Sequence, residues 1–125
     1  ATDELFKGFV NPLFCYYVDE TDKGHNHITY DAPLLLYFYG SPYSDPADSL
    51  VAATYAMLAA ESLGLGSCML GGIHPMIQYG AKAKKFREKY GIVCKSQEGI
   101  FLAVGYPALT YKKSVRRTFA SIHYQ

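Results

Sequence analysis

The chain has 125 residues and a formal net charge of +1, with half of its residues apolar and 18% charged. That length accommodates one small domain with a core and argues against a second. The composition excludes a disordered or solvated tail, and the near-neutral balance excludes a broad electrostatic footprint for nucleic acid.

So apolar a small chain is expected to hide surface against a partner. Cys15, Cys68 and Cys94 are an odd set at wide spacings with no Cys-x-x-Cys pair. They indicate neither a disulfide framework nor a zinc or iron-sulphur site, and a reducing cytoplasm is the expected setting. The opening residues Ala1-Thr2-Asp3-Glu4 lack a basic leader, and no run reaches the roughly 18 apolar residues of a membrane span, so a soluble protein with no membrane partner is expected.

In chain order, residues 5 to 18 are apolar but interrupted by Gly8 and Pro12, which predicts a short helix followed by an extended piece. Asp19 to Asn26 is polar and contains Gly24, a loop by composition. Pro33 to Tyr39 is a continuous apolar and aromatic run, read as a buried strand. Asp45 as cap, Pro46 at the first helical position and Asp48 near the positive end of the dipole predict a helix from 46 to 63, closed by Gly64. Between Leu50 and Ala60 it carries no charge and five alanines, which predicts burial on nearly every side.

Ser67 to Gly72 reads as a short strand or turn. A second helix is predicted from Pro75 to Tyr90, capped by Gly91, with Met76, Tyr79, Ala83, Phe86 and Tyr90 on one face and Lys82, Lys85 and Lys89 on another. Gly99 to Val104 is a central strand, and Ser121 to Tyr124 is a candidate terminal one.

Chemistry concentrates in the segment Leu63 to Gly72, where four glycines in ten residues let backbone approach a planar or phosphorylated ligand. It is not a dinucleotide fingerprint, because Gly64 and Gly66 follow a helix and Met69 stands where a third glycine belongs. The alternative is a helix cap followed by a tight crossover. Lys112, Lys113, Arg116 and Arg117, behind Gly105-Tyr106-Pro107, are spaced to converge on a phosphate or to form a solvated basic turn. His25 and His27 are metal-ligating types, but no Cys, Asp or Glu at a compelling spacing completes a site, and solvated loop residues are the simpler reading. His74, before Pro75, fits a place at a helix entrance as well as it fits acid chemistry, and Cys68 in an apolar strand reads as an inert core thiol. Most of the twelve tyrosines, Tyr37, Tyr39, Tyr43, Tyr106 and Tyr111 among them, are read as interface residues rather than as a ligand site.

Asp31-Ala32-Pro33, the block Leu58-Ala59-Ala60-Glu61-Ser62-Leu63-Gly64-Leu65-Gly66-Ser67-Cys68, Tyr90-Gly91-Ile92, Gly105-Tyr106-Pro107 and the basic tail together resemble the C-terminal half of the nitroreductase family. The resemblance is closest to members that carry an iron-sulphur module before the flavin domain. It covers roughly residues 28 to 124. It implies an α+β sandwich with a mixed sheet flanked by helices, here a partial domain spanning residues 1–125, that binds FMN at a homodimer interface. Hydride or electrons would come from NAD(P)H or a ferredoxin-like donor and pass to nitroaromatic, quinone or related small aromatic acceptors.

By position, Leu70, Gly71 and Gly72 match the backbone beside flavin N5, and Lys113 and Arg117, with Arg116 as alternate, match the phosphate-holding residues. No side chain is implied as acid or base, since the hydride chemistry belongs to the cofactor. The family's N-terminal Arg-x-Ser-x-Arg flavin motif and its asparagine-bearing loop are absent, and Met69 replaces a frequent tryptophan. A non-catalytic dimerisation or flavin-holding subunit is therefore the alternative reading.

Overall fold

The computed structural model describes residues 11–93 and 96–109, together with Glu4, Lys7, Gly8 and Lys112. The elements run α1 (Asn11–Asp22), β1 (Leu34–Tyr39), α2 (Asp48–Ser62), β2 (Gly66–Leu70), α3 (Ile73–Gln78), α4 (Ala81–Lys89) and β3 (Gly99–Gly105). The candidate terminal strand at 121–124 lies outside the described residues.

The three strands form one sheet in the order β1-β3-β2. Both pairings are antiparallel, with Leu36 opposite Leu102 and Leu102 opposite Met69. The α+β class is as expected, but among the described residues the sheet is antiparallel throughout rather than mixed. β3 is central and mostly buried, whereas β1 is an edge strand with Leu34 and Leu35 exposed, less covered than its apolar run implies.

Strand alternation divides the sheet into two faces. On one, Leu36, Phe38, Met69, Leu102 and Val104 meet Ala56, Met57, Ala60 and Leu65 of α2 and its exit, which makes the core. On the other, Tyr37 stacks between Tyr39 and Phe101, with ring centroids 4.8 and 4.3 Å away.

The start and end of α2 follow the local chemistry. Asp45 accepts the Ala47 N–H at 2.8 Å, and Gly64, at φ +74°, lets Leu65 N–H reach back to the Ala60 carbonyl at 2.9 Å. Its burial departs from expectation. Only Ser49, Ala53 and Ala60 are buried, while Val51, Tyr55 and Leu58 form an exposed apolar outer face, Tyr55 at 71%. Lack of charge along a helix shows that both faces are apolar, not that one chain covers both.

Two further elements differ from expectation. α1 is one continuous helix through Asp22, because Pro12 stands in its first turn, where a missing N–H costs no hydrogen bond, and the polar residues 19–22 are its solvated last turn. The helix expected from 75 to 90 begins earlier, at Ile73, and is two helices. Tyr79 is extended (φ −122°, ψ 143°) and Gly80 takes φ +93°, so the chain turns between them. Tyr79, Phe86 and Tyr90 consequently stay exposed, while His74, Ile77, Gln78 and Ala83 are buried.

A candidate cofactor cleft on the open sheet face

The face of the sheet opposite α2 is covered only in part. A cavity of ≈ 520 Å³ lies over it, walled by residues 29–33 on one side and by Gly66, Ser67, Cys68, Ala103, Val104, Gly105 and Tyr106 on the other. A second, of ≈ 320 Å³, shares Tyr30 and Leu70 with the first and is lined further by Gly71, Gly72, Ile73, Met76, Tyr17, Ile28 and His27. These volumes fall in the range of small-molecule sites. Gly66, Ala103, Gly105, Gly71 and Gly72 keep much of the lining low and flat, which suits a planar ring system. The segment Leu70–Gly72 expected beside a flavin therefore does line a cleft, at the junction of β2 and α3.

One wall of the cleft is strained. Tyr30 and Asp31 both take left-handed φ, 51° and 53°, which costs free energy for residues with a Cβ. Asn26 holds them there. Its Oδ1 accepts the N–H groups of Ile28 and Thr29, and its Nδ2 donates to Thr29 Oγ1 and Asp31 Oδ1. An asparagine followed closely by Thr and Asp in a polar loop, as at Asn26, is the sequence signal of such a side-chain-capped turn.

Behind the cleft, α3 is pinned by a buried polar network. Gln78 Nε2 donates to Tyr37 Oη at 3.0 Å, and Tyr37 Oη lies 2.9 Å from His74 Nδ1, an arrangement satisfied when His74 carries its proton on Nε2. Ser96 N–H donates to Gln78 Oε1, Gly40 N–H donates to Ser96 Oγ, and Arg87 donates to the carbonyls of Ile77 and Gln78. No buried side-chain polar atom among the described residues lacks a partner. His74 is thus a structural pin that fixes the start of α3 and, with it, Gly71 and Gly72. A Cβ at Gly99 would stand 2.6 Å from His74 Nδ1, so only glycine fits beneath the imidazole.

Cys68 contradicts its core reading. Strand alternation sends Met69 into the core and turns Cys68 outward, where its free thiol is exposed and lines the larger cavity. Lys113, Arg116 and Arg117 lie outside the described residues, and Lys112 is exposed. His25 and His27 have the acidic companion that spacing did not reveal. Glu20, from the last turns of α1, places Oε2 3.0 Å from His25 Nδ1 and 3.3 Å from His27 Nε2, while Oε1 is 2.9 Å from Lys23 Nζ. The hydrogen bond with His25, then that from Lys23, holds the Glu20 carboxyl down at about 2 from its ordinary 4.5, so it is ionised at neutral pH.

An antiparallel sheet covered by a helix on one face, with a glycine-lined cleft of small-molecule size on the other, defines the class as α+β. Residues 5–106 match the family model of the nitroreductase family, and the chain belongs to that family. Membership gives an oxidoreductase class of the flavin-using kind. No curated protein and no solved structure matches the chain. No described helix is long and apolar enough to cross a membrane.

Proposed function

We propose that the protein is an FMN-dependent oxidoreductase that takes hydride or electrons from NAD(P)H or an iron-sulphur partner and passes them to nitroaromatic, quinone or related acceptors. The observation that carries this reading is the cleft lined by Leu70, Gly71 and Gly72 within a family-matched chain. The low lining and the scarcity of charged side chains fit an isoalloxazine ring, and the backbone of 70–72 would run beside its reactive edge. Bound FMN would supply the hydride chemistry. The protein's part is to bind the ring, to exclude water from one face of it and to keep the other open to acceptors. Two exposed free thiols, Cys15 and Cys68, suit a reducing cytoplasm.

Lys113 and Arg117, with Arg116 as alternate, would hold the FMN phosphate. A charge-assisted contact to phosphate contributes about 1.5 to 3 kcal/mol, so Arg117→Ala is expected to weaken FMN affinity by roughly tenfold or more while leaving riboflavin, which has no phosphate, nearly unaffected. Fluorescence titration of both flavins reads this. Equal losses for the two would assign Arg117 to the fold instead. A colourless protein that takes up neither flavin would favour a non-catalytic dimerisation subunit.

The exposed outer face of α2, with Val51, Tyr55 and Leu58, supports a homodimer that covers it with a second copy. Sedimentation is expected to give a dimer at micromolar concentration and a shift toward monomer in Tyr55→Asp. A monomer in the wild type would refute this assignment.

A further inference from the structure

We infer that Glu20, His25 and His27 form a binding site for a divalent transition-metal ion of the zinc, cobalt or nickel class, at the edge of the cleft that His27 also lines. The site is built by two consecutive turns. At the end of α1, Gly24 takes φ +84°, so that Gly24 N–H bonds to the Thr21 carbonyl and His25 N–H to the Glu20 carbonyl at 2.8 Å. That paired helix-ending pattern folds His25 back over Glu20. The Asn26 side chain then bends residues 26–29 into a second turn, which returns His27 to the same carboxylate. Tyr16 and Tyr30 flank the His27 ring at 5.8 and 6.0 Å.

The donor atoms of the three residues all lie within 4.8 Å of one another. A tetrahedral zinc with bonds of about 2.0 to 2.1 Å has donors about 3.3 Å apart along each edge. The Nδ1–Oε2 and Nε2–Oε2 separations of 3.0 and 3.3 Å are those of two such edges. Two imidazoles and one carboxylate are a borderline donor set that selects transition metals over magnesium or calcium. A metal would replace the hydrogens the imidazoles share with Oε2, which leaves Oε1 on Lys23 and a fourth position open to water from the cavity lined by Glu20, His25, His27 and Asp31. The Lys23 ammonium opposes a dication, so the affinity belongs in the micromolar rather than the nanomolar range.

The test is titration of the tag-free full chain with Co²⁺, followed by its visible absorption, and with Zn²⁺ by calorimetry. One equivalent is expected, with a four-coordinate cobalt spectrum. Glu20→Gln, His25→Ala and His27→Ala should each weaken binding by tenfold or more, and the double variant H25A/H27A should abolish it. His25 is exposed and Glu20 and His27 are half-buried outside the core, so unchanged circular dichroism is expected, and His25→Gln is the milder substitute if the alanine variant misfolds. Absence of stoichiometric binding at micromolar metal, or binding undiminished in H25A/H27A, would overturn the assignment.

Discussion

Leu102→Ala is expected to destabilise the fold by about 2 to 5 kcal/mol, a large share of the roughly 5 to 15 kcal/mol that holds a typical domain together. Leu102 is the largest fully buried side chain among the described residues, at 0% exposure in the middle of the central strand. Leu36 and Met69 lie opposite it on either side, and the small residues of α2 close over the cluster. Truncation would therefore leave a void bounded by three elements at once, which Met57 and Met69 could fill only in part. Urea unfolding at fixed protomer concentration reads the effect as a lower midpoint with an unchanged slope. A loss below about 1 kcal/mol would mean that the helix and the sheet do not meet as described.

Ala53→Asp is expected to prevent stable folding. Ala53, on the inner face of α2, has no exposure at all, so a carboxylate there has neither water nor a cation to meet it. An uncompensated buried charge costs about 3 to 5 kcal/mol or more. The absence of charge between Leu50 and Ala60 makes Ala56 look equivalent in sequence, but it is only partly buried and an aspartate there can turn toward solvent. The two variants should therefore separate clearly in thermal unfolding, with Ala56→Asp folded and Ala53→Asp not. Similar behaviour of both would place the whole helix in the interior.

What the sequence disclosed follows from how local each signal is. The ends of α2 were legible because Asp45, Pro46 and Gly64 act on their own neighbours, and the central place of β3 because a strand buried on both faces must be apolar at every position. The break at Tyr79–Gly80 was not legible, since a single glycine inside a helical pattern is compatible with either outcome. The outward turn of Cys68 depends on a register that only pairing with β3 fixes. The Glu20–His25–His27 cluster is hidden in the sequence because the polar residues around Gly24 have loop composition, whereas Glu20 belongs to a helix end that folds back. The cleft itself was legible only as a flexible glycine segment, because what brings that segment opposite the strained Tyr30–Asp31 turn is set only in three dimensions.

The position of β3 in the sheet also dictates how the protein must be made. Leu34 pairs with Val104 and Tyr39 with Gly99, partners 60 to 70 residues apart, and among the described residues β2 likewise meets no strand but β3. Among these three strands, neither β1 nor β2 can therefore acquire its neighbour until β3 has left the ribosome. Until then an aromatic, charge-free strand and a helix without charge from Leu50 to Ala60 wait without a core, a condition that slows folding and invites association between nascent chains. Recombinant yield should thus depend on synthesis rate and temperature more steeply than the stability of the finished fold would suggest.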